Sequence, residues 1–116
     1  MRRAVVKELE DVKAEGIVVI GLTGKSDIAD YMIVASGRSQ RQVGAAADRV
    51  LRKVKAMTGR APAVEGLPAC DWVLIDTGDV IVHIFRPEVR EFYNLEKMWS
   101  AELPLDHAGG ASEGAL

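Results

Sequence analysis

Two apolar runs separated by a Thr-Gly pair constrain the fold of this chain most. The runs are DWVLID at 71–76 and VIVHIF at 80–85, and their length and β-branched residues are typical of strands. Thr77-Gly78 fits a two-residue hairpin turn because glycine accepts a positive φ. We therefore predict an antiparallel hairpin in which Asp76 faces Asp79 and Trp72 faces His83.

Paired residues of such a hairpin share a face, so this register predicts two unlike faces. One face is uniformly aliphatic and suits a core: Val73, Ile75, Val80, Val82 and Ile84. The other mixes apolar side chains with acids and an imidazole: Trp72, Leu74, Asp76, Asp79, Ile81, His83 and Phe85. This mixture is typical of a protein-binding patch with apolar anchors and a charged rim. A C-terminal helix carrying Phe92, Leu95 and Trp99 would equally well cover it, and the pattern leaves both readings open.

The remaining elements predict an α/β domain. Apolar spacing indicates a helix before Gly16, and the runs 17–22 and 31–37 indicate strands. Ser39 is placed to cap a helix that extends to about Met57, and another helix follows Pro87. A short edge strand is expected at 63–65.

Strand, helix and strand over residues 31–76 imply a right-handed parallel crossover with hairpins on either side. We expect one small domain over residues 1–103, with a mixed β-sheet and helices mainly on one face. The Gly- and Ala-rich residues 104–116 are expected to form a flexible tail.

Composition excludes several classes of protein. The single cysteine, Cys70, rules out an internal disulfide and a cysteine-based zinc site. Apolar runs of membrane-spanning length are absent from the sequence, and the N-terminus lacks the apolar stretch of a signal peptide. The expected location is the cytoplasm.

Charge is unevenly distributed along the chain. Residues 38–60 hold seven bases and one acid, whereas residues 61–116 hold ten acids and three bases. A dipolar surface of this kind suits docking to charged macromolecules. The basic helix has no interleaved aromatic residues, so contact with nucleic acid would be nonspecific, and a solvated helix face is the commoner explanation.

Three short motifs imitate catalytic sites. Asp76-Thr77-Gly78 resembles the triplet of aspartic proteases, which need a mostly β body and two carboxylates sharing a proton. GLTGKSD at 21–27 has too few residues between its glycines for a phosphate-binding loop and leads into a strand. One metal ion cannot join Asp76, Asp79 and His83, because the acids lie at the turn and the histidine lies further along the strand. We expect neither a metal nor a cofactor.

Four segments together resemble the ribosomal silencing factors, also called the Iojap family. They are DYMIVASGRSQRQV at 30–43, the pair Glu65-Gly66, WVLIDTGDVIVHIF at 72–85 and REFYNLEKMW at 90–99. The resemblance covers the chain except its tail. Thr77 departs from the pattern, since many members carry an aromatic residue there, and this departure creates the protease-like triplet.

The resemblance implies a noncatalytic translation repressor. The family binds the large ribosomal subunit at ribosomal protein L-fourteen and sterically blocks joining of the small subunit, especially under nutrient limitation. Its fold is similar to that of nucleotidyltransferases, but it has no established enzymatic activity. The acidic half of this chain would be attracted to the basic ribosomal protein and repelled by the surrounding ribosomal RNA.

These arguments select candidate partner-binding residues. The apolar contacts are Trp72, Leu74, Ile81 and Phe85 (with Phe85 a core residue in the other reading), the acids are Asp76, Asp79 and Glu91, and the polar-aromatic contacts are His83 and Tyr93. The alternative function is a metal-dependent nucleotide-handling enzyme in which Asp76 and Asp79 hold the metal. A homodimer that hides the same face would compete with docking.

Overall fold

The computed structural model describes residues 1–24 and 29–93, without the side chains of residues 91–93. The predicted tail and the helical positions Leu95 and Trp99 lie outside this range, as does part of the GLTGKSD motif. Within it, no helix is long and apolar enough to cross a membrane. The elements in chain order are α1 (Arg2–Asp11), β1 (Glu15–Gly21), β2 (Tyr31–Ser36), α2 (Gln40–Thr58), β3 (Ala63–Glu65), β4 (Trp72–Asp76), β5 (Val80–Phe85) and α3 (Pro87–Tyr93).

The five strands form one mixed sheet in the order β1-β2-β5-β4-β3. β2 and β5 pair in parallel at its centre, and the other three pairings are antiparallel. The predicted mixed sheet is confirmed. The parallel neighbour of β2 is β5, however, and not the strand that precedes the turn. The apolar run of β5 suits the central position, because a central strand of this sheet is covered on both faces.

Helices α1 and α2 pack on one face of the sheet over the main core. Ser39 caps α2 as predicted, its Oγ accepting a hydrogen bond from the Gln42 backbone at 3.1 Å. Gly59 ends the helix with a φ of 78°. The predicted aliphatic face of the hairpin lies beneath these helices, and all five of its members are fully buried: Val73, Ile75, Val80, Val82 and Ile84.

A smaller core lies on the opposite face of the sheet. It combines residues of β1, β2, β5 and the β1–β2 connection, and Val89 of α3 packs against it. Arg90 fastens α3 to the sheet, since its Nη1 donates to Ser36 Oγ at 2.8 Å. The buried members of this smaller core are Ile20, Leu22, Ala29, Met32, Val34 and Phe85.

The hairpin turn is displaced from its predicted position. The backbone N–H of Thr77 donates to the Val80 carbonyl at 2.9 Å, and the N–H of Val80 donates to Thr77 Oγ1 at 3.2 Å. These bonds leave Gly78 and Asp79 as the two turn residues, with Gly78 at a φ of 106°. The Thr77 hydroxyl therefore closes the hairpin, and the threonine is not part of the turn tip.

The predicted register is consequently wrong by two residues. Asp76 faces Ile81 and not Asp79, and Trp72 faces Phe85 and not His83. Because side chains alternate between faces with a period of two, this displacement leaves the strand residues on their predicted faces. Only Asp79 changes place, from the strand pair to the exposed turn.

Candidate protein-binding face

The mixed face is the surface of β4 and β5 that points away from α1 and α2. The register places Trp72 opposite Phe85, Leu74 opposite His83, and Asp76 opposite Ile81. Six of the nine predicted contact residues thus lie side by side. Asp79 sits in the adjoining turn, and Glu91 and Tyr93 belong to α3, with side chains outside the described set.

Burial divides the mixed face into two parts. On β5, Phe85 is fully buried and His83 is 6% exposed, so their side chains belong to the interior. On β4, Trp72, Leu74 and Asp76 are half-buried and present surface to solvent. His83 and Phe85 are thus covered, whereas Ile81 stays half-buried like the β4 residues. Phe92, Leu95 and Trp99, which one reading of the sequence expected to cover the face, lie outside the described side chains.

An aromatic cluster fixes the orientation of Trp72. Its ring stacks on Phe85 with centroids 4.9 Å apart and planes inclined by 21°. Its Nε1–H donates to His83 Nδ1 at 3.0 Å, and the imidazole in turn stacks on Phe85 at 5.7 Å. A ring held on one side by stacking and at its nitrogen by a hydrogen bond has little rotational freedom left to lose when a partner binds.

Burial also determines the protonation of His83. Desolvation lowers its pKa from 6.5 to about 4, so the imidazole is neutral at pH 7. Because Nδ1 accepts the indole hydrogen bond, the ring proton of the neutral form is assigned to Nε2. His83 is therefore a buried acceptor that supports Trp72, and its low basicity makes it unsuited to general base chemistry at neutral pH.

A groove of about 480 Å³ lies over the paired strands β3 and β4 on the same side of the sheet, and we term it the β3–β4 groove. Gly66 shapes it, because its φ is 91° and a Cβ there would collide with the Trp72 carbonyl oxygen. The pair Glu65-Gly66 carried the family resemblance, but the hairpin pattern gave no sign that it lies beside Trp72. The lining residues are Ala63, Glu65, Gly66, Trp72, Leu74 and Asp76.

The carboxylates near the groove support the turn and leave negative charge at the surface. Asp76 Oδ1 accepts from the Gly78 N–H at 2.9 Å, and Asp79 Oδ1 accepts from the Thr77 hydroxyl at 3.3 Å. Among the described residues, neither aspartate nor Glu65 has an ion-pair partner. The same part of the chain contains no group of three or more side chains that could hold a metal ion.

Comparison with known proteins identifies the family to which the chain belongs. The sequence model of a family described as "Ribosomal silencing factor during starvation" matches residues 1–113. The chain belongs to the ribosomal silencing factor family. The resemblance found in the sequence is thereby confirmed, and the family is named for silencing ribosomes and not for a reaction.

Individual silencing factors and related proteins agree with this assignment. A ribosomal silencing factor of Zymomonas mobilis is 58% identical over 97 residues, which cover 84% of this chain and 73% of that protein. A crystallised protein of Chromobacterium violaceum has a TM-score of 0.83 at 36% identity, covering 89% of this chain and 86% of that one. The mouse protein named "Mitochondrial assembly of ribosomal large subunit protein 1" is 33% identical over 98 residues, covering 82% of this chain and 43% of that protein.

Proposed function

We propose that this silencing factor docks on the large ribosomal subunit through the mixed face and the β3–β4 groove, contacts ribosomal protein L-fourteen there, and sterically blocks joining of the small subunit. The observation that carries the proposal is an oriented, half-exposed tryptophan beside carboxylates that have no ion-pair partner in the described part of the chain. Family membership supports the ribosome as target, and the name of the mouse relative connects it with the large subunit.

The apolar part of the site supplies the anchors. Trp72 and Leu74 line the groove and are half-buried in the free protein, so both have further surface to bury against a partner. Tryptophan is enriched among the residues that dominate interface energies. Because His83 and Phe85 already orient the indole, docking requires little additional ordering.

The charged part of the site selects the partner. Glu65 and Asp76 line the groove, and Asp79 lies in the turn beside it. Carboxylates without ion-pair partners attract a basic protein surface and repel RNA phosphates at the same place. A basic ribosomal protein surrounded by RNA is therefore discriminated from its surroundings by charge.

The proposed activity is noncatalytic. Asp76 and Asp79 accept hydrogen bonds within their own turn, which accounts for both residues without a metal. Changing both to Ala is expected to weaken binding to the large subunit, and neither the wild-type protein nor the variant is expected to turn over nucleotides. Nucleotide turnover that depends on added divalent metal and is lost in the double variant would instead support the alternative function, a metal-dependent nucleotide-handling enzyme.

A subunit-joining assay tests the blockade. Purified small and large subunits are mixed at a magnesium concentration that permits joining, and the joined fraction is measured on a sucrose gradient as the protein is added. We expect the joined fraction to fall with wild-type protein and to stay high with Leu74→Glu. Val19→Glu is the matched control, because Val19 is an exposed apolar residue, 40% accessible, on the edge strand β1 at the far side of the sheet from β4. Unchanged joining with excess wild-type protein would refute the proposal.

A further inference from the structure

The outer side of α2 carries a second charged surface, on the opposite side of the sheet from the mixed face. Residues 38–60 hold seven bases and one acid. That acid, Asp48, is paired with Arg52 at 3.0 Å. Two further bases pair with carboxylates of neighbouring elements, Arg38 with Glu15 at 3.1 Å and Arg49 with Glu8 at 3.0 Å.

Four bases of this segment remain without a carboxylate partner in the described part of the chain: Arg41, Lys53, Lys55 and Arg60. The segment therefore has an excess of positive charge that the fold does not neutralise. The α1 segment differs, because residues 1–14 balance four bases with three acids. The excess of bases over acids, six in residues 38–60 against one in residues 1–14, is thus concentrated on α2 and just beyond its end.

Helix geometry directs part of this charge outwards. The buried side of α2, which includes Val43 and Val50, faces the sheet. Arg41, Arg52 and Lys55 are exposed, and their spacing of eleven and three residues places them along one row of the outer side. With 19 residues the helix is about 28 Å long, which is enough to follow a nucleic acid backbone over several phosphates.

We propose that the outer side of α2 binds the phosphate backbone of RNA. Aromatic residues are absent from segment 38–60, so base stacking is excluded and the contact is electrostatic and independent of sequence. The choice of RNA over another polyanion rests on the proposed binding to the ribosome. The protein then has two unlike surfaces, an acidic one that binds a basic protein and a basic one that binds RNA. Electrostatic repulsion from RNA is therefore confined to the mixed face.

Binding to a short fluorescein-labelled RNA duplex, followed by anisotropy at several salt concentrations, tests this surface. The α2 variant combines Arg41→Gln, Arg52→Gln and Lys55→Gln in the full chain, the three exposed bases of the outer row. The matched control combines Arg3→Gln, Lys7→Gln and Lys13→Gln, which removes the same charge from α1 and its end. We expect the α2 variant to lose about tenfold or more in affinity at low salt, and its log affinity to depend on log salt with a slope shallower by about 2 to 3.

The control variant is expected to keep the wild-type slope. Equal losses of affinity in the two variants would show that RNA binding depends only on the net charge of the protein and not on α2. Absence of RNA binding by the wild-type protein would refute the proposal that α2 binds RNA. Tighter binding to phosphatidylserine vesicles than to the duplex would assign the surface to a membrane instead.

Isolated ribosomal protein L-fourteen separates this inference from the proposed function. The α2 variant is expected to bind it like the wild-type protein, since α2 lies on the other side of the sheet from the groove. Failure of RNA binding alone would therefore leave the mixed face as the docking site. Failure of L-fourteen binding alone would remove the proposed function but not the RNA contact.

Discussion

The indole nitrogen of Trp72 donates a hydrogen bond to Nδ1 of His83 over 3.0 Å and so joins β4 to β5 across the mixed face. The bond runs diagonally, because the residue directly opposite His83 is Leu74. The imidazole is buried while the tryptophan is half-exposed, so one residue is fixed in the interior and holds the other at the surface.

Replacing His83 should therefore alter both stability and docking. His83→Leu removes the acceptor of the hydrogen bond from the Trp72 indole, and we expect the free energy of unfolding to fall by about 1–3 kcal/mol. His83→Asn is the control, because its amide oxygen can take the place of Nδ1. Chemical denaturation and binding to the large subunit measure the two effects. Equal losses of stability and of binding in the Leu and Asn variants would show that the hydrogen bond to Trp72 contributes to neither.

Acidification should destabilise the protein through the same residue. In the unfolded chain His83 binds a proton with a pKa near 6.5, whereas burial lowers the pKa in the folded protein to about 4. Between these values the unfolded state binds more protons, so the free energy of unfolding falls as the pH falls from 6.5 towards 4. The full effect is about 3 kcal/mol. Denaturation curves measured across this range should show the loss for wild-type protein and a smaller loss for His83→Asn.

Gly66 should be intolerant of any side chain. Its φ of 91° is unfavourable for other residues, and a Cβ would collide with the Trp72 carbonyl oxygen. We expect Gly66→Ala to cost about 1–3 kcal/mol and to displace β3 from β4. Gly21→Ala is the matched control, because nothing lies within 4 Å of its added Cβ and its φ is not positive. Thermal unfolding of the two variants compares them directly.

Arg90 should contribute more to stability than the exposed arginines of α2. Its Nη1 donates to Ser36 Oγ at 2.8 Å, and Ser36 is 5% exposed, so Arg90→Ala leaves a buried hydroxyl without this donor. We expect a cost of about 1–3 kcal/mol in the free energy of unfolding. Arg52→Ala breaks only an exposed ion pair and should cost less than about 1 kcal/mol. Similar costs for the two variants would contradict this role of Arg90.

The local patterns of the sequence predicted much of the fold. Ser39 and Gly59 delimit α2 because capping depends on residues next to the helix ends. The alternation in β4 and β5 assigned their residues to the correct faces. The buried side consists of Val73, Ile75, Val80, Val82 and Ile84. Such features depend on near neighbours in the chain, and for this reason the sequence displays them.

The errors arose where one side chain or a distant segment decides the outcome. A glycine was sufficient to predict a turn, but the Thr77 hydroxyl decides which two residues form it. The β3–β4 groove escaped prediction because Glu65 reaches Leu74 only through sheet pairing. Burial of His83 and Phe85 depends on the packing of several elements, which the hairpin pattern does not contain.

Charge reversal at Glu65 tests whether the carboxylates of the β3–β4 groove select ribosomal protein L-fourteen. Glu65 is exposed and has no ion-pair partner among the described residues, so Glu65→Lys should leave the fold intact. Glu10→Lys is the matched control, because Glu10 is also exposed and belongs to α1, on the other face of the sheet from the groove. In titrations with purified L-fourteen, we predict that Glu65→Lys weakens binding about tenfold, or ~1.4 kcal/mol, and that Glu10→Lys binds like wild type. Equal affinities of L-fourteen for all three proteins would show that the β3–β4 groove is not the docking site.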